Sequence, residues 1–329
     1  MQAAYYERTG AAREVLQLAT LPDPVPGPGE VRVRLRWSGV NPSDVKSRAG
    51  LRSSVLPFPR IVPHSDGMGI VDAVGEGVSP ARIGQHVWLW NAAWGRAFGT
   101  AAQYVVLPAR QAVPLPDTVV DDAAGACLGI PAMTALHALL CGGGVAGRRV
   151  LVAGGAGADG HYAVQFARLL GARQVLATVS SPAKAALARA AGADVVIDYR
   201  SEEVAERVRE ATQGLGLDRI VEVDIAANAA LDATLLRRGG DCVVYGSGSA
   251  QFTLPFFPLI ANNLTLRCFI VYHLVDADRE RAEQTLTGWL ERGVVAHNIA
   301  QRLPLEQIAL AHEAVEQGQA LGNVVLAIP

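Results

Sequence analysis

Cysteine is scarce in this 329-residue chain, and what there is does not pair: Cys127, Cys141, Cys242 and Cys268 are scattered, with no CxxC among them. A disulfide scaffold and a cysteine-rich zinc lobe are therefore disfavoured. A basic excess is missing too. The 29 Lys and Arg are balanced by 31 Asp and Glu, a net charge of −2, so nothing is in reserve to hold a phosphate backbone and nucleic acid is not an expected partner. Aromatic residues are few, at 6%. Met1 to Gly10 lacks the basic-then-apolar layout of a secretory signal. The least polar long stretch, Ala123 to Gly147, is interrupted by Pro131 and His137 and reads as buried helix rather than membrane span. No internal repeat or low-complexity segment stands out. These absences lead to the expectation of a soluble, cytoplasmic protein with no membrane partner.

What is present is a hydrophobic half (50%) and a length about twice that of a usual domain, which together call for two packed domains. In the first third, Val31 to Trp37 alternates apolar residues with Arg and Trp, the period of a half-buried strand. Short apolar runs at Gly69–Gly75, Gln85–Leu89 and Gln103–Leu107 are each bounded by Gly, Pro or Asn, as in a small irregular barrel or sandwich. The pattern changes near Asp121. Compact Val- and Ile-rich runs at Arg149–Ala153, Gln174–Val179, Ala193–Asp198, Arg219–Val223 and Asp241–Tyr245 then alternate with helical stretches. That alternation predicts a parallel sheet covered on both faces. Residues 1–120 are read as one domain and 121–268 as a nucleotide-binding domain. Residues 269–329 are read as the last strand of that sheet and a return to the first domain.

The strongest motif lies at Val150 to Gly171. A strand runs into Gly154-Gly155-Ala156-Gly157-Ala158-Asp159-Gly160 and then into a helix, so Gly155, Gly157 and Gly160 satisfy GxGxxG in strand–turn–helix context. A pyrophosphate is expected against this turn and the N–H groups of the helix start, with Gly155, Gly157, Ala158, Asp159 and Gly160 around it. Asp159 is awkward there, because a carboxylate beside a pyrophosphate is repulsive. Where an NAD site would carry an acid for the ribose 2′-hydroxyl, this chain reads Ser180-Ser181-Pro182-Ala183-Lys184. Ser181 and Pro182 make an ordinary helix start. A lysine in the first helical turn opposes the dipole unless an anion is near, so Ser180, Ser181 and Lys184 favour NADPH over NADH. Tyr199 is a candidate for packing on the adenine ribose.

Several motifs together resemble the medium-chain dehydrogenase/reductase superfamily, and within it the zinc-free quinone oxidoreductase (zeta-crystallin-like) branch. They include Gly39-Val40-Asn41-Pro42-Ser43-Asp44, Pro63-His64-Ser65-Asp66-Gly67, Val74-Gly75-Glu76-Gly77-Val78 and Gly129-Ile130-Pro131-Ala132-Met133-Thr134-Ala135. The glycine loop and Ala191-Gly192-Ala193-Asp194 continue the match over nearly the whole chain. The resemblance implies an α/β protein: a GroES-like β-rich catalytic domain plus a Rossmann domain with a doubly wound parallel sheet. Zinc members resemble the first two motifs but carry a ligand Cys where Asn41 stands and a ligand His where Ser65 stands, so no metal is expected. His64 and Asp66 remain as hydrogen-bonding partners rather than ligands. Without a Lewis acid, hydride from NADPH suits an acceptor that delocalises charge itself, a quinone or a conjugated carbonyl.

By the same resemblance Asn41 and Thr134 lie at the nicotinamide and acceptor, and Gly246 and Ser247 make backbone contacts near the nicotinamide. Where relatives place a Lys or Arg close to the adenosine phosphate, the segment Gly318–Asn323 offers Asn323 instead. Trp88, Trp90 and Trp94, with Asn91, either line an acceptor pocket for flat rings or simply pack beneath a surface loop. The expected activity is NADPH:quinone reduction. The alternatives are reduction of an enone or 2-alkenal, and an NADPH-binding structural or sensor protein with little turnover. Pairing of two copies through the open sheet edge, at Leu264–Val271, is also implied.

Overall fold

The structure, a computed structural model, describes residues 1–329. It divides into Met1–Pro131 with Thr287–Pro329, and Ala132–Leu286. The first boundary falls after residue 131 rather than 120 for a steric reason: the backbone of Ala126 packs directly on Gly39, where a β-carbon would come within 2.0 Å of its carbonyl oxygen. The second falls inside a helix, Asp276–Glu291, rather than at 268.

In the first unit β1 (Gln2–Tyr5) and β2 (Gln17–Thr20) pair antiparallel around the short α1 (Ala12–Val15). The long β3 (Glu30–Val40) buries Val31, Val33 and Leu35 and turns Arg32, Arg34 and Arg36 outward, as its alternation requires. A capping box then starts α2 (Pro42–Arg48): Asp44, three residues on, accepts the Asn41 backbone N–H at 2.8 Å, and Pro42 takes the first helical position. The strands β4 (Asp66–Val74), β5 (His86–Leu89), β6 (Tyr104–Pro108) and β7 (Ala112–Pro114) complete the β-rich part.

The second unit begins with α3 (Met133–Leu140). Six strands follow: β8 (Arg149–Val152), β9 (Gln174–Val179), β10 (Val195–Asp198), β11 (Leu217–Glu222), β12 (Leu236–Val244) and β13 (Thr265–Cys268). Between them run α4 (Ala158–Leu169), α5 (Pro182–Ala190), α6 (Val204–Ala211), α7 (Ile225–Leu235) and α8 (Phe256–Ala261), with α9 (Asp276–Glu291) after the last strand. The sheet order is β10-β9-β8-β11-β12-β13, all parallel, so the strand order reverses between β8 and β11. That switch point is where open α/β sheets bind ligands. The last strand ends at Cys268 and forms the sheet edge, inside the longer span expected for it. Arg219, fully buried, caps α3: its Nη1 donates to the carbonyls of Ala138, Leu139 and Cys141 while Asp241 accepts from its Nε at 2.8 Å.

The chain then returns to the first unit through β14 (Ile299–Pro304), α10 (Ile308–Glu316) and β15 (Asn323–Ala327). There β15 lies between β14 and β3 in the seven-stranded sheet β14-β15-β3-β4-β5-β7, pairing Trp37–Val40 of β3, while β6 pairs Glu30–Arg34. Asp122–Leu140 is long and apolar enough to cross a membrane by length and composition, but every residue from Ala123 to Leu139 is buried within the fold.

Candidate active site

In the second unit the expected pyrophosphate turn is built as its sequence requires, and each glycine has a separable reason. Gly154 adopts a left-handed φ of +67°. A β-carbon on Gly155 would come within 2.6 Å of the Ala177 side chain, and one on Gly160 within 2.1 Å of the Gly154 carbonyl oxygen. Gly157 is different. Its backbone is ordinary extended chain (φ −70°, ψ 176°), and an added β-carbon would meet only the Gly154 carbonyl oxygen, at 3.4 Å. Nothing inside the protein demands glycine at this exposed position, which is the observation expected where a ligand backbone comes close. Gly157 is also the N-cap of α4 and offers no side-chain cap, so N–H groups of the first turn remain for an anion. These residues fit a dinucleotide pyrophosphate.

Asp159 sits in that first turn. It is half-buried by accessible area, yet enough protein surrounds it that desolvation pushes its carboxyl up to about 7, opposed only by a hydrogen bond from its own backbone N–H. Around neutral pH a large share of Asp159 is uncharged, which relieves the clash with a pyrophosphate. Tyr245 faces it from the end of β12. Burial drives the Tyr245 hydroxyl well above its ordinary value, and the negative charges of Asp159 and Glu222 add to this.

At the end of β9, Ser181 caps α5 by accepting the Lys184 backbone N–H at 3.3 Å, while the Lys184 ammonium donates to Ser180 Oγ at 3.0 Å. Tyr199, after β10, is 53% exposed. Thr134 is buried in the first turn of α3. Gly246 is demanded by packing instead, since a β-carbon there would come within 2.2 Å of the Val223 carbonyl oxygen. Ser247 closes a local turn by donating to the Ser249 carbonyl at 2.6 Å.

In the first unit Asn41 is buried, and its amide nitrogen donates to Asp66 Oδ2 at 3.0 Å; the same oxygen accepts the Ile130 N–H at 2.9 Å. Burial raises the neighbouring Asp44 carboxyl to about 7 against the Asn41 backbone N–H, Arg52 and the Asn41 side chain, which lower it. Asn323 is buried, and its side-chain amide donates to the Asn298 carbonyl at 3.0 Å. Trp88 and Trp90 are core residues, whereas Trp94 is 38% exposed.

Sequence reasoning missed a buried polar chain. Thr100 and Ser38 hydroxyls lie 2.8 Å apart, Ser38 bonds His64 Nδ1 at 2.8 Å, and His64 Nε2 meets His312 Nε2 at 2.9 Å. No local pattern links residues so far apart in the chain. The only hint was a histidine in the middle of the apolar α10.

Known proteins place this architecture. Residues 27–117 match the family described as alcohol dehydrogenase GroES-like domain, and residues 160–291 match that described as zinc-binding dehydrogenase. A 2-haloacrylate reductase from Burkholderia sp. is 33% identical over 92% of this chain and 91% of its own length. The chain belongs to the medium-chain dehydrogenase/reductase superfamily. Among solved members, an NAD-dependent alcohol dehydrogenase superposes with a TM-score of 0.91 at 30% identity, each chain covered in full. The quinone oxidoreductase of Escherichia coli, solved with NADPH, gives 0.87 at 25% identity over 99% of this chain and 100% of that one.

The zinc in the superfamily's domain description does not suit the donors here. Asn41 and Ser65 are poor ligands for Zn²⁺. Both ring nitrogens of His64 are engaged, by Ser38 and His312, and Asp66 Oδ2 already holds Asn41 and Ile130.

Proposed function

We propose that this superfamily member is an NADPH-dependent oxidoreductase that reduces a quinone without a metal ion. The observation that carries the reading is the glycine turn, above all the sterically unexplained Gly157 at the uncapped start of α4. NADPH, when bound, supplies the hydride. The protein's own groups do the rest. The first-turn N–H groups of α4 hold the pyrophosphate, and Ser180 and Lys184 hold the 2′-phosphate, with Tyr199 against the ribose. The Thr134 hydroxyl and the backbone at Gly246 and Ser247 border the nicotinamide end. Asn41 acts as a positioning residue: its amide nitrogen donates one hydrogen to Asp66, which orders the loop beyond β3.

A second reading, reduction of a conjugated carbon–carbon double bond, is favoured by the 33% identity to a 2-haloacrylate reductase. Both acceptors delocalise the incoming charge, so neither needs a Lewis acid. Following NADPH oxidation with benzoquinones, alkenals, enones and 2-haloacrylates separates the two. Quinone turnover with kcat/KM at least about tenfold above every alkene supports the quinone reading; the reverse order overturns it. NADPH that binds but is oxidised by none of these acceptors indicates a protein with little turnover.

A second copy is proposed to pair along β13, whose outer edge carries no strand. Phe256, Phe257 and Ile260, all more than half exposed on α8 just before it, support that interface. Light scattering on the purified chain tests it.

A further inference from the structure

Within the second unit, the end of α3, the edge strand β13 and the start of α9 border a cavity of about 620 Å³. It shares no residue with the glycine turn, Lys184 or Tyr199. Charge sets it apart. Arg267 reaches it from β13 and Arg281 from α9, whereas Asp278 is the one carboxylate in the lining and already accepts from Arg281 at 2.9 Å.

The positive excess continues behind the lining. Gly142 turns left-handed, with φ +57°, and a β-carbon on it would meet Arg219 Nη2 at 3.0 Å and Arg267 Nη2 at 3.2 Å. Two guanidiniums therefore converge on one bare stretch of backbone. Arg148 approaches its neighbour Gly143 in the same way, at 3.5 Å. Asp241 serves both Arg219, at 2.8 Å, and Arg148, at 3.9 Å. In this group Arg148, Arg219, Arg267 and Arg281 face only Asp241 and Asp278, an excess of two positive charges. Arginine cannot shed its charge by losing a proton, so the excess is permanent.

His137 adds a donor of a different kind. It is buried in α3 with its ring edge-on to Phe269, the centroids 4.6 Å apart. Its Nδ1 is shut in without a hydrogen-bond partner, which leaves Nε2 as the ring nitrogen a ligand can reach. Burial lowers its pKa; Asp278 works against this, and Arg281, Arg267 and Arg279 add to it. The neutral ring can donate one hydrogen bond without adding to the repulsion among the arginines. Leu140 and Phe269 supply apolar wall beside it.

We propose that this cavity binds a small organic phosphate, its phosphate group held by Arg267, Arg281 and His137 and its apolar body against Leu140 and Phe269. A phosphomonoester carries close to two negative charges at neutral pH, which matches the excess, and its terminal oxygens accept from several guanidinium donors at once. A carboxylate would meet half of that charge.

Calorimetric titration of the full chain with phenyl phosphate and with inorganic phosphate tests this. Phenyl phosphate is expected to bind at least about threefold more tightly, because its ring gains the apolar wall. Arg267→Gln and Arg281→Gln, both at exposed positions, should each weaken it by about fivefold or more and leave the melting temperature within a few degrees. Lys184→Ala should change it by less than about twofold, which separates this cavity from the 2′-phosphate position. Absence of binding overturns the proposal, as does phenyl phosphate that binds no better than inorganic phosphate; neither comparison needs a variant. An affinity that survives both arginine substitutions, or is lost with Lys184→Ala alone, overturns it as well.

Discussion

The Nε2 atoms of His64 and His312 lie 2.9 Å apart in the interior of the first unit, one ring donating to the other. The accepting ring must therefore be neutral. Burial lowers His64 to about 3, and His312 is lowered by burial, by His64 and by Arg48. The unfolded chain takes up a proton near the ordinary value of about 6.5, which the folded chain refuses until far lower pH. The His64 contribution to stability is therefore full above about 6.5 and is lost as pH falls below it, by about 1.4 kcal/mol per unit. Denaturant unfolding at several pH values between 7.5 and 5 checks the slope. His64→Asn, which tolerates the residue's φ of +79°, flattens it.

Two glycines of one turn are expected to fail in different ways. Gly160→Ala drives a methyl group onto the Gly154 carbonyl oxygen and costs roughly 2 kcal/mol or more of stability. Gly157→Ala leaves the melting temperature within a few degrees but weakens NADPH binding by about tenfold or more, since its methyl group occupies space the fold leaves open. Calorimetric melting alongside coenzyme titration distinguishes the two.

Lys184→Ala removes the ammonium beside Ser180. NADPH affinity should fall by about tenfold to a hundredfold, the worth of a charge-assisted contact, while NADH affinity changes by less than about twofold. Equal losses for both coenzymes would mean that Lys184 does not read the 2′-phosphate.

The Asp159 carboxyl, raised to about 7, gives coenzyme binding a pH dependence of known sign. Above 7 the ionised group repels the pyrophosphate, so affinity decreases from pH 6 to pH 8. Asp159→Asn removes that decrease and binds the coenzyme more tightly at pH 8. Parallel titrations of the two proteins cancel the ionisation of the coenzyme's own phosphate.

The nucleotide-binding sheet was legible because its signals are local. Gln174–Val179 is a strand at the bounds its apolar run predicts, and the glycine turn lies where its spacing puts it. Less local features were not legible. The boundary at residue 131 depends on Ala126 seating against Gly39, a contact no periodicity reports. The side chains of Asn41 and Asn323 look like free amides in a sequence, but their partners, Asp66 and Asn298, come from elsewhere in the fold.

The position of β15 beside β3 has a consequence for how the molecule comes into being. Residues 132–286 are contiguous and can collapse as soon as they leave the ribosome. The sheet that holds β3 cannot close until roughly the 325th residue has been translated. During that interval β3 offers bare backbone to any passing strand. Slowing elongation after residue 286 should accordingly raise the yield of misassembled protein, whereas slowing it before residue 132 should not.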